Sequence, residues 1–146
     1  MILAFGHDAI VARWVADTYG AYLHQTPSAA IGVIDNDGAI VGAFIVIWKC
    51  DTTAELSLFG LTSNDTWKAF FGWLFGPGGV WRLEIRTAKA NRQIKRAAVK
   101  FGFRFEGVDH AYYGPGRDAV VYMMTPDTCR WINVLAVQEP ESAEAG

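Results

Sequence analysis

The sequence predicts a single α/β domain in which a mixed sheet is flanked by helices, and three observations carry that prediction. With 146 residues, 51% of them apolar, the chain holds enough material for one well-buried core and too little for two ordinary domains. Segments with two-residue and 3.6-residue hydrophobic periods follow one another in the order β-α-β-β-β-α-β-α-β-β. Within that order the stretch from Val80 to Gly107 contains a strand, a helix cap, a helix and a stop that all agree with one another.

Each element has its own signal. Ile2 to Phe5 reads as a short strand, and Gly6-His7-Asp8 opens a helix with Ile10, Val11, Trp14, Val15 and Thr18 as its inward stripe and Asp8 beside the positive end. Gly20 ends it, and Ala21 to Ser28 shows no clear period. Ala29 to Asp35 and Ala39 to Lys49 are strands joined by Asn36-Asp37-Gly38, a hairpin signal because Asn and Gly accept positive φ. Thr53 to Phe59 follows as a third strand after the Asp51-Thr52 turn. A helix from about Asp65 to Phe75 places Trp67, Phe70, Phe71 and Leu74 on one face, and Gly76-Pro77-Gly78-Gly79 breaks it.

In the organising stretch, Val80 to Thr87 alternates Trp81, Leu83 and Ile85 against Arg82, Glu84 and Arg86. Asn91 offers its side-chain oxygen to the free amides of a helix carrying Ile94, Ala97, Ala98 and Phe101 inward, and Gly102 stops that helix in a left-handed conformation. Phe103 to Val108 and Asp118 to Met124 form a final antiparallel pair around Gly114-Pro115-Gly116. The domain spans 1–135. From 136 to 146 the composition of Glu, Pro, Ser, Ala and Gly predicts a flexible acidic tail.

Charge is unevenly placed. Arg82, Arg86, Lys89, Arg92, Lys95, Arg96, Lys100 and Arg104 are eight of the thirteen basic residues, and the window they span holds one acid, Glu84, in a chain of net charge −2. A local positive field on an otherwise acidic chain suits a compact polyanion better than nucleic acid, which calls for a broadly basic domain. Arg92, Arg96 and Lys100, four apart along the helix, form one face able to hold a nucleotide 3′-phosphate and diphosphate with Lys89 and Asn91, or simply a solvated face. Cys50 and Cys129 make no disulfide framework, and His7, His24 and His110 are too scattered for a metal site. MILAFGHD is no signal peptide and no apolar run reaches the roughly 20 residues of a membrane span, so a soluble cytoplasmic protein is expected.

The second half also resembles a known family. Asn91, Lys95, Ala98, Phe101-Gly102-Phe103 and Glu106-Gly107 are similar to the N-x-x-(A/S)-x-(R/K)…GF-x-x-EG signature of the GNAT superfamily of N-acetyltransferases, in the branch of the ribosomal-protein acetyltransferases. Gly116, Asp118 and Tyr122-Met123 resemble that branch's G…D…Y-x-M ending, and Cys129-Arg130-Trp131 is similar to small phage-encoded members. The resemblance implies a mostly antiparallel sheet whose fourth and fifth strands splay apart, with acetyl-CoA as co-substrate in the opening. It implies that the backbone around Leu56 and Leu58 pairs with the pantetheine amides. The following loop and helix start, with Ser63 and Asn64, would take the pyrophosphate, because free amides and the helix dipole favour an anion there. Asn91 orders the next helix beside the cofactor, and Arg92, Arg96 and Lys100 meet the phosphates. The chain departs from the family's [QR]-x-x-G-x-[GA] loop: Gly60 to Thr66 keeps only Gly60 as a cradle glycine, and Asp65 would repel a phosphate.

For proton transfer the resemblance points to Glu55 as general base, directly or through water, and to a tyrosine as acid, Tyr122 ahead of Tyr112 and Tyr113. As plain strand residues, Glu55 would face outward and Tyr122 would close the core. Two functions follow. One is an N-acyltransferase moving an acetyl group from acetyl-CoA to a small-molecule or protein amine by direct attack in a ternary complex. The other is a catalytically silent binding or structural protein, for example a phage virion or assembly component, with a homo-oligomer or virion partner seated over Trp67, Trp73, Trp81 or Trp131.

Overall fold

The computed structural model describes residues 1–20, 23 and 26–131. The acidic tail expected over 136–146, the domain's last four residues and Ala21, Tyr22, His24 and Gln25 lie outside the described residues. The elements are β1 (Ile2–Ala4), α1 (Asp8–Tyr19), β2 (Ala29–Ile34), β3 (Ile40–Trp48), β4 (Thr53–Gly60), α2 (Asn64–Phe75), β5 (Arg82–Ala88), α3 (Arg92–Phe101), β6 (Arg104–Asp109) and β7 (Ala119–Met124). They build one seven-stranded sheet of order β1-β2-β3-β4-β5-β7-β6, antiparallel throughout except between β4 and β5.

Local chemistry sets the joints. The β2–β3 hairpin closes because Asp35 Oδ1 accepts from the amides of Asp37 and Ala39, each at 2.9 Å, while Gly38 takes φ +83°. Asp8 joins α1 to the sheet, its Oδ2 accepting from the Ala30 amide at 2.9 Å. Ser63 caps α2 in a reciprocal box with Thr66, and Asn91 Oδ1 caps α3 by accepting from the Ile94 amide. Gly102 ends α3 at φ +105°, where a Cβ would also lie 2.3 Å from the Thr128 carbonyl oxygen.

One face of the sheet packs against α2 and α3. There Phe44, Trp67, Phe70, Phe71, Leu74 and Phe101 form an aromatic core, with Phe44 stacked on Phe70 at 4.5 Å and Trp67 against Phe101 at 4.5 Å. The other face carries α1 over β2 and β3 through Val11, Val15, Ala43 and Ile45. The inward stripe of α1 is narrower than its sequence suggests. Ile10 and Thr18 are exposed, because the helix lies close over Gly32, where Val11 would touch any added Cβ, and only the Val11–Val15 ridge fits. Trp81 also departs from its expected place: β5 starts two residues later than Val80, at Arg82, and Trp81 is 65% exposed. Among the described residues no helix is long and apolar enough to cross a membrane.

Candidate active site

The site begins where two parallel strands stop pairing. Thr53 to Leu56 register with Arg82 to Ile85, and the ladder ends there, although β4 continues to Gly60 and β5 to Ala88. β3 occupies the other edge of β4 along its whole length, so the edge of Ser57 to Gly60 facing β5 lacks its strand partner over about 13 Å. A cavity of about 390 Å³ fills the gap, lined on its two sides by Leu56, Leu58, Ile85 and Thr87 and closed by Asn91 and Ile94 from α3 and Tyr113 from the β6–β7 loop.

A second cavity of about 400 Å³ shares Leu58, Asn91 and Ile94 with the first and runs on between the start of α2 and the flank of α3, past Gly60, Thr62, Ser63, Asn64, Gln93 and Lys100. The two form one track from the sheet's split to a helix N-terminus. At that terminus the Thr66 amide bonds to Ser63 Oγ and the Trp67 amide to the Ser63 carbonyl, leaving the Asn64 and Asp65 amides without an intrahelical acceptor. Asp65 itself is exposed and stands outside the lining of the track, so the expected repulsion is not aimed into it. Gly60 has a different role from a phosphate cradle. Its φ is +76°, and a Cβ would lie 2.3 Å from the Val41 carbonyl oxygen and 2.9 Å from Gly42 Cα, while one on Gly42 would lie 2.1 Å from the Leu61 carbonyl oxygen. The two glycines let the chain leaving β4 cross tightly over β3.

Asn91 serves both ends of the site. Its Oδ1 caps α3 and its Nδ2 donates to Thr87 Oγ1 at 3.3 Å, tying the helix start to the free end of β5. Lys100 reaches the track, but Arg92 and Arg96 do not. They line a separate groove of about 440 Å³ with Lys95, Val99 and Tyr122 on the other flank of α3. A four-residue step turns an α-helix by about 400°, so 92 and 100 diverge by roughly 80°, enough for Arg92 and Lys100 to line different cavities on a helix that has one on each flank.

The two residues expected to move protons are not brought together. Side chains alternate along a strand. Ala54 and Leu56 enter the core beneath α2 and α3, and so does Tyr122 from β7, 6% exposed and edge-on to Phe105. Glu55 therefore points to the opposite face of the sheet. There its Oε1 accepts from Arg86 Nη1 at 2.7 Å and meets Lys49 Nζ at 2.7 Å, an arrangement that holds the Lys49 ammonium above its ordinary pKa through the Glu55 bond.

Arg86 is the site residue that sequence reasoning did not select, and Tyr113 is one it ranked behind Tyr122. Arg86 spans three strands: besides Glu55 it donates through Nε to Asp109 Oδ2 at 2.7 Å, lies 5.4 Å from the Tyr112 ring centroid, and lines the cavity in the sheet's split. Tyr113 lines the same cavity, and burial, then Tyr112 and Glu55, push its phenol above the usual tyrosine range. The signal for Arg86 was a half-buried cation at the end of an alternating strand. Tyr113 had only its place in the Gly-Pro-Gly loop, and a loop's direction is not written in its period.

The same arrangement of sheet and helices is found in solved N-acetyltransferase structures. A spermidine N-acetyltransferase SpeG mutant from Vibrio cholerae is similar with a TM-score of 0.71 over 91% of this chain and 96% of its own, at 12% identity. A GCN5-related N-acetyltransferase from Brucella melitensis gives 0.59 at 22% identity over 80% of this chain and 57% of its own. The fold is that of the GNAT N-acetyltransferases. A putative acetyltransferase from Sphaerobacter thermophilus aligns at 0.58 and 14% identity over 84% of this chain and 92% of its own, so the likeness in fold covers most of both chains. No protein-family model matches the sequence, and no match was found among curated proteins.

Proposed function

We propose that this protein is a GNAT-type N-acyltransferase that moves an acetyl group from acetyl-CoA to a primary amine by direct attack in a ternary complex. The observation that carries the reading is the parting of β4 and β5 after Leu56 and Ile85, which opens a track leading to the start of α2. A linear thioester with an anionic head suits it. The pantetheine amides pair with the β4 backbone around Leu56 and Leu58 in place of the missing strand. The pyrophosphate rests on the Asn64 and Asp65 amides, with Ser63 as the cap that aims them, and Lys100 supplies the cation. Asn91 holds α3 against the arm.

The amine nitrogen attacks the thioester carbonyl, the C–S bond breaks as the amide forms, and the departing thiolate takes a proton. Tyr113, kept neutral by burial, is the donor in this scheme, since it lines the cavity in the split and Tyr122 does not. The amine's proton leaves through water to Glu55, whose carboxylate is oriented by Arg86. Acetyl-CoA is expected to raise the melting temperature, by about 2.7 kcal/mol of added stability at one hundred times its Kd. It is expected to release thiol with an amine from a panel that includes spermidine, the acceptor named for the Vibrio cholerae structures. Absence of both responses at millimolar cofactor would overturn the proposal.

A catalytically silent version of the fold is favoured by one observation: no carboxylate is among the residues lining the cavity in the split, and Glu55 Oε1 is already engaged by two cations. Stabilisation by acetyl-CoA without thiol release on any amine is the outcome that would select it.

A further inference from the structure

The proposed reaction leaves the far end of the acceptor unassigned, and a cavity beside the split supplies a place for it. The lining of the split runs along β5 to Thr87, and the next residues, Ala88, Lys89 and Ala90, line a further cavity of about 440 Å³. Tyr113 lines both, so the two meet at the residue assigned above as proton donor. Gly116, Arg117 and Asp118 from the β6–β7 loop complete the second cavity, whose volume falls in the range of small-molecule sites.

The backbone around that volume is tied in place. The Lys89 amide donates to the Asp118 carbonyl at 3.0 Å, and the Lys89 carbonyl accepts from Lys95 Nζ at 3.2 Å. The Tyr113 amide donates to the Arg117 carbonyl at 2.9 Å, and the Arg117 amide donates to the Gly114 carbonyl at 2.9 Å. Lys89, Tyr113 and Arg117 therefore project from fixed positions, which lowers the ordering cost of binding a ligand among them.

Charge decides what the cavity accepts. Its one acid is Asp118, and both carboxylate oxygens are engaged: Oδ1 accepts from the Ala111 amide at 2.8 Å, and Oδ2 meets His110 Nδ1 at 3.2 Å. Beside the split, Glu55 and Asp109 are both paired with Arg86. Among the described residues Lys89 and Arg117 make no ion pair. Two unmatched cations thus stand next to the reacting centre, where they attract an anion and repel an ammonium. The arginine fork in particular matches the oxygens of a carboxylate or phosphate.

We propose that the acceptor is a small amine bearing a carboxylate or phosphate, its anionic end resting on Lys89 and Arg117 while its amino nitrogen reaches past Tyr113 to the thioester. This rests on the acyl-transfer reading and narrows its substrate. Holding the acceptor by its far end places the nitrogen against the carbonyl before reaction, which removes orientational entropy from the chemical step. A polyamine offers only positive charge, and the same two cations disfavour it. Lys89, expected from the sequence beside the cofactor phosphates, belongs on this account to the acceptor, because it lines this cavity rather than the track to α2.

The test measures thiol release from acetyl-CoA with matched acceptors: glycine, β-alanine and γ-aminobutyrate each beside its carboxamide, phosphoethanolamine beside ethanolamine, and spermidine. Rates are referred to the free-base amine. At least one anionic acceptor is expected to exceed its neutral partner by about tenfold or more in kcat/KM, with spermidine below both, and the pairs show whether carboxylate or phosphate is preferred. Combining Lys89→Gln with Arg117→Gln should raise KM for that acceptor until the preference disappears, while the acetyl-CoA melting shift reports an intact fold. A preference that survives the double variant, or thiol release that is fastest with neutral amines or spermidine, overturns the inference and leaves acyl transfer standing. Thiol release from none of these amines overturns it as well, and takes the acyl-transfer reading with it when acetyl-CoA also fails to shift the melting temperature.

Discussion

Cys50 stands exposed in the turn between β3 and β4, and its thiol is lowered to about 7, first by a hydrogen bond from the Thr52 backbone and then by the Thr53 and Thr52 side chains. An ordinary thiol titrates near 8.5. Alkylation by iodoacetamide should follow a titration with its midpoint close to 7 and disappear in Cys50→Ser, while Cys129, buried in the core, stays unmodified until the protein unfolds. A midpoint above 8 would contradict the turn geometry. The two tyrosines give the contrasting prediction in the proposed reaction. Tyr113→Phe removes the donor that lines the cavity and should lower kcat by roughly 10²-fold or more while leaving the acetyl-CoA-induced melting shift in place. Tyr122→Phe alters a buried ring on the α2–α3 side and should leave kcat within a few-fold. Equal losses from both would remove Tyr113 from its assigned role.

Elements were more legible in the sequence than the contacts between them. The caps at Asn91 and Gly102 and the Asp35–Ala39 turn rest on chemistry confined to a few neighbouring residues, and the structure forms each as the residues dictate. Trp81 shows where period alone fails: the alternation read from Val80 begins two residues before the pairing that makes a strand. The row Arg92, Arg96, Lys100 fails for another reason, because a spacing of four is a shared face only when one flank of the helix is open, and α3 has a cavity on both. Arg86 was illegible because its partners, Glu55 and Asp109, are 31 and 23 residues away along the chain. Gly60, the one glycine that looks like a ligand cradle, answers with Gly42 to a crossing of two strands. Gly60→Ala is therefore expected to destabilise by more than about 1 kcal/mol, through both positive φ and backbone collision, lowering Tm even without ligand. If the variant melts like the parent but loses acetyl-CoA binding, Gly60 belongs to the cofactor after all.

At the scale of the whole molecule, the sheet is held continuous on both sides of a deliberate gap. β3 pairs with all of β4 and β7 with β5 from Leu83 to Ala88, so the separation of β4 from β5 costs only the ladder bonds between them. The aromatic core under α2 and α3 keeps the two halves together and reaches the track only through Trp67 and Phe101, which line it beside Leu58, Ile94 and Ala97. This division between what holds the fold and what stays open can be tested at one position. Ala97 is half-buried on the track side of α3, away from the fully buried Ala98. Ala97→Phe adds a ring to empty space, so the unliganded protein should keep its Tm within a few degrees or gain slightly, since filling a cavity restores lost contacts. The melting shift produced by acetyl-CoA should vanish, because the arm and the ring compete for one volume. A variant that stays folded and still responds fully to acetyl-CoA would show that the ligand does not thread between β4 and α3, and the proposed reaction would lose its route even though the sheet keeps its split.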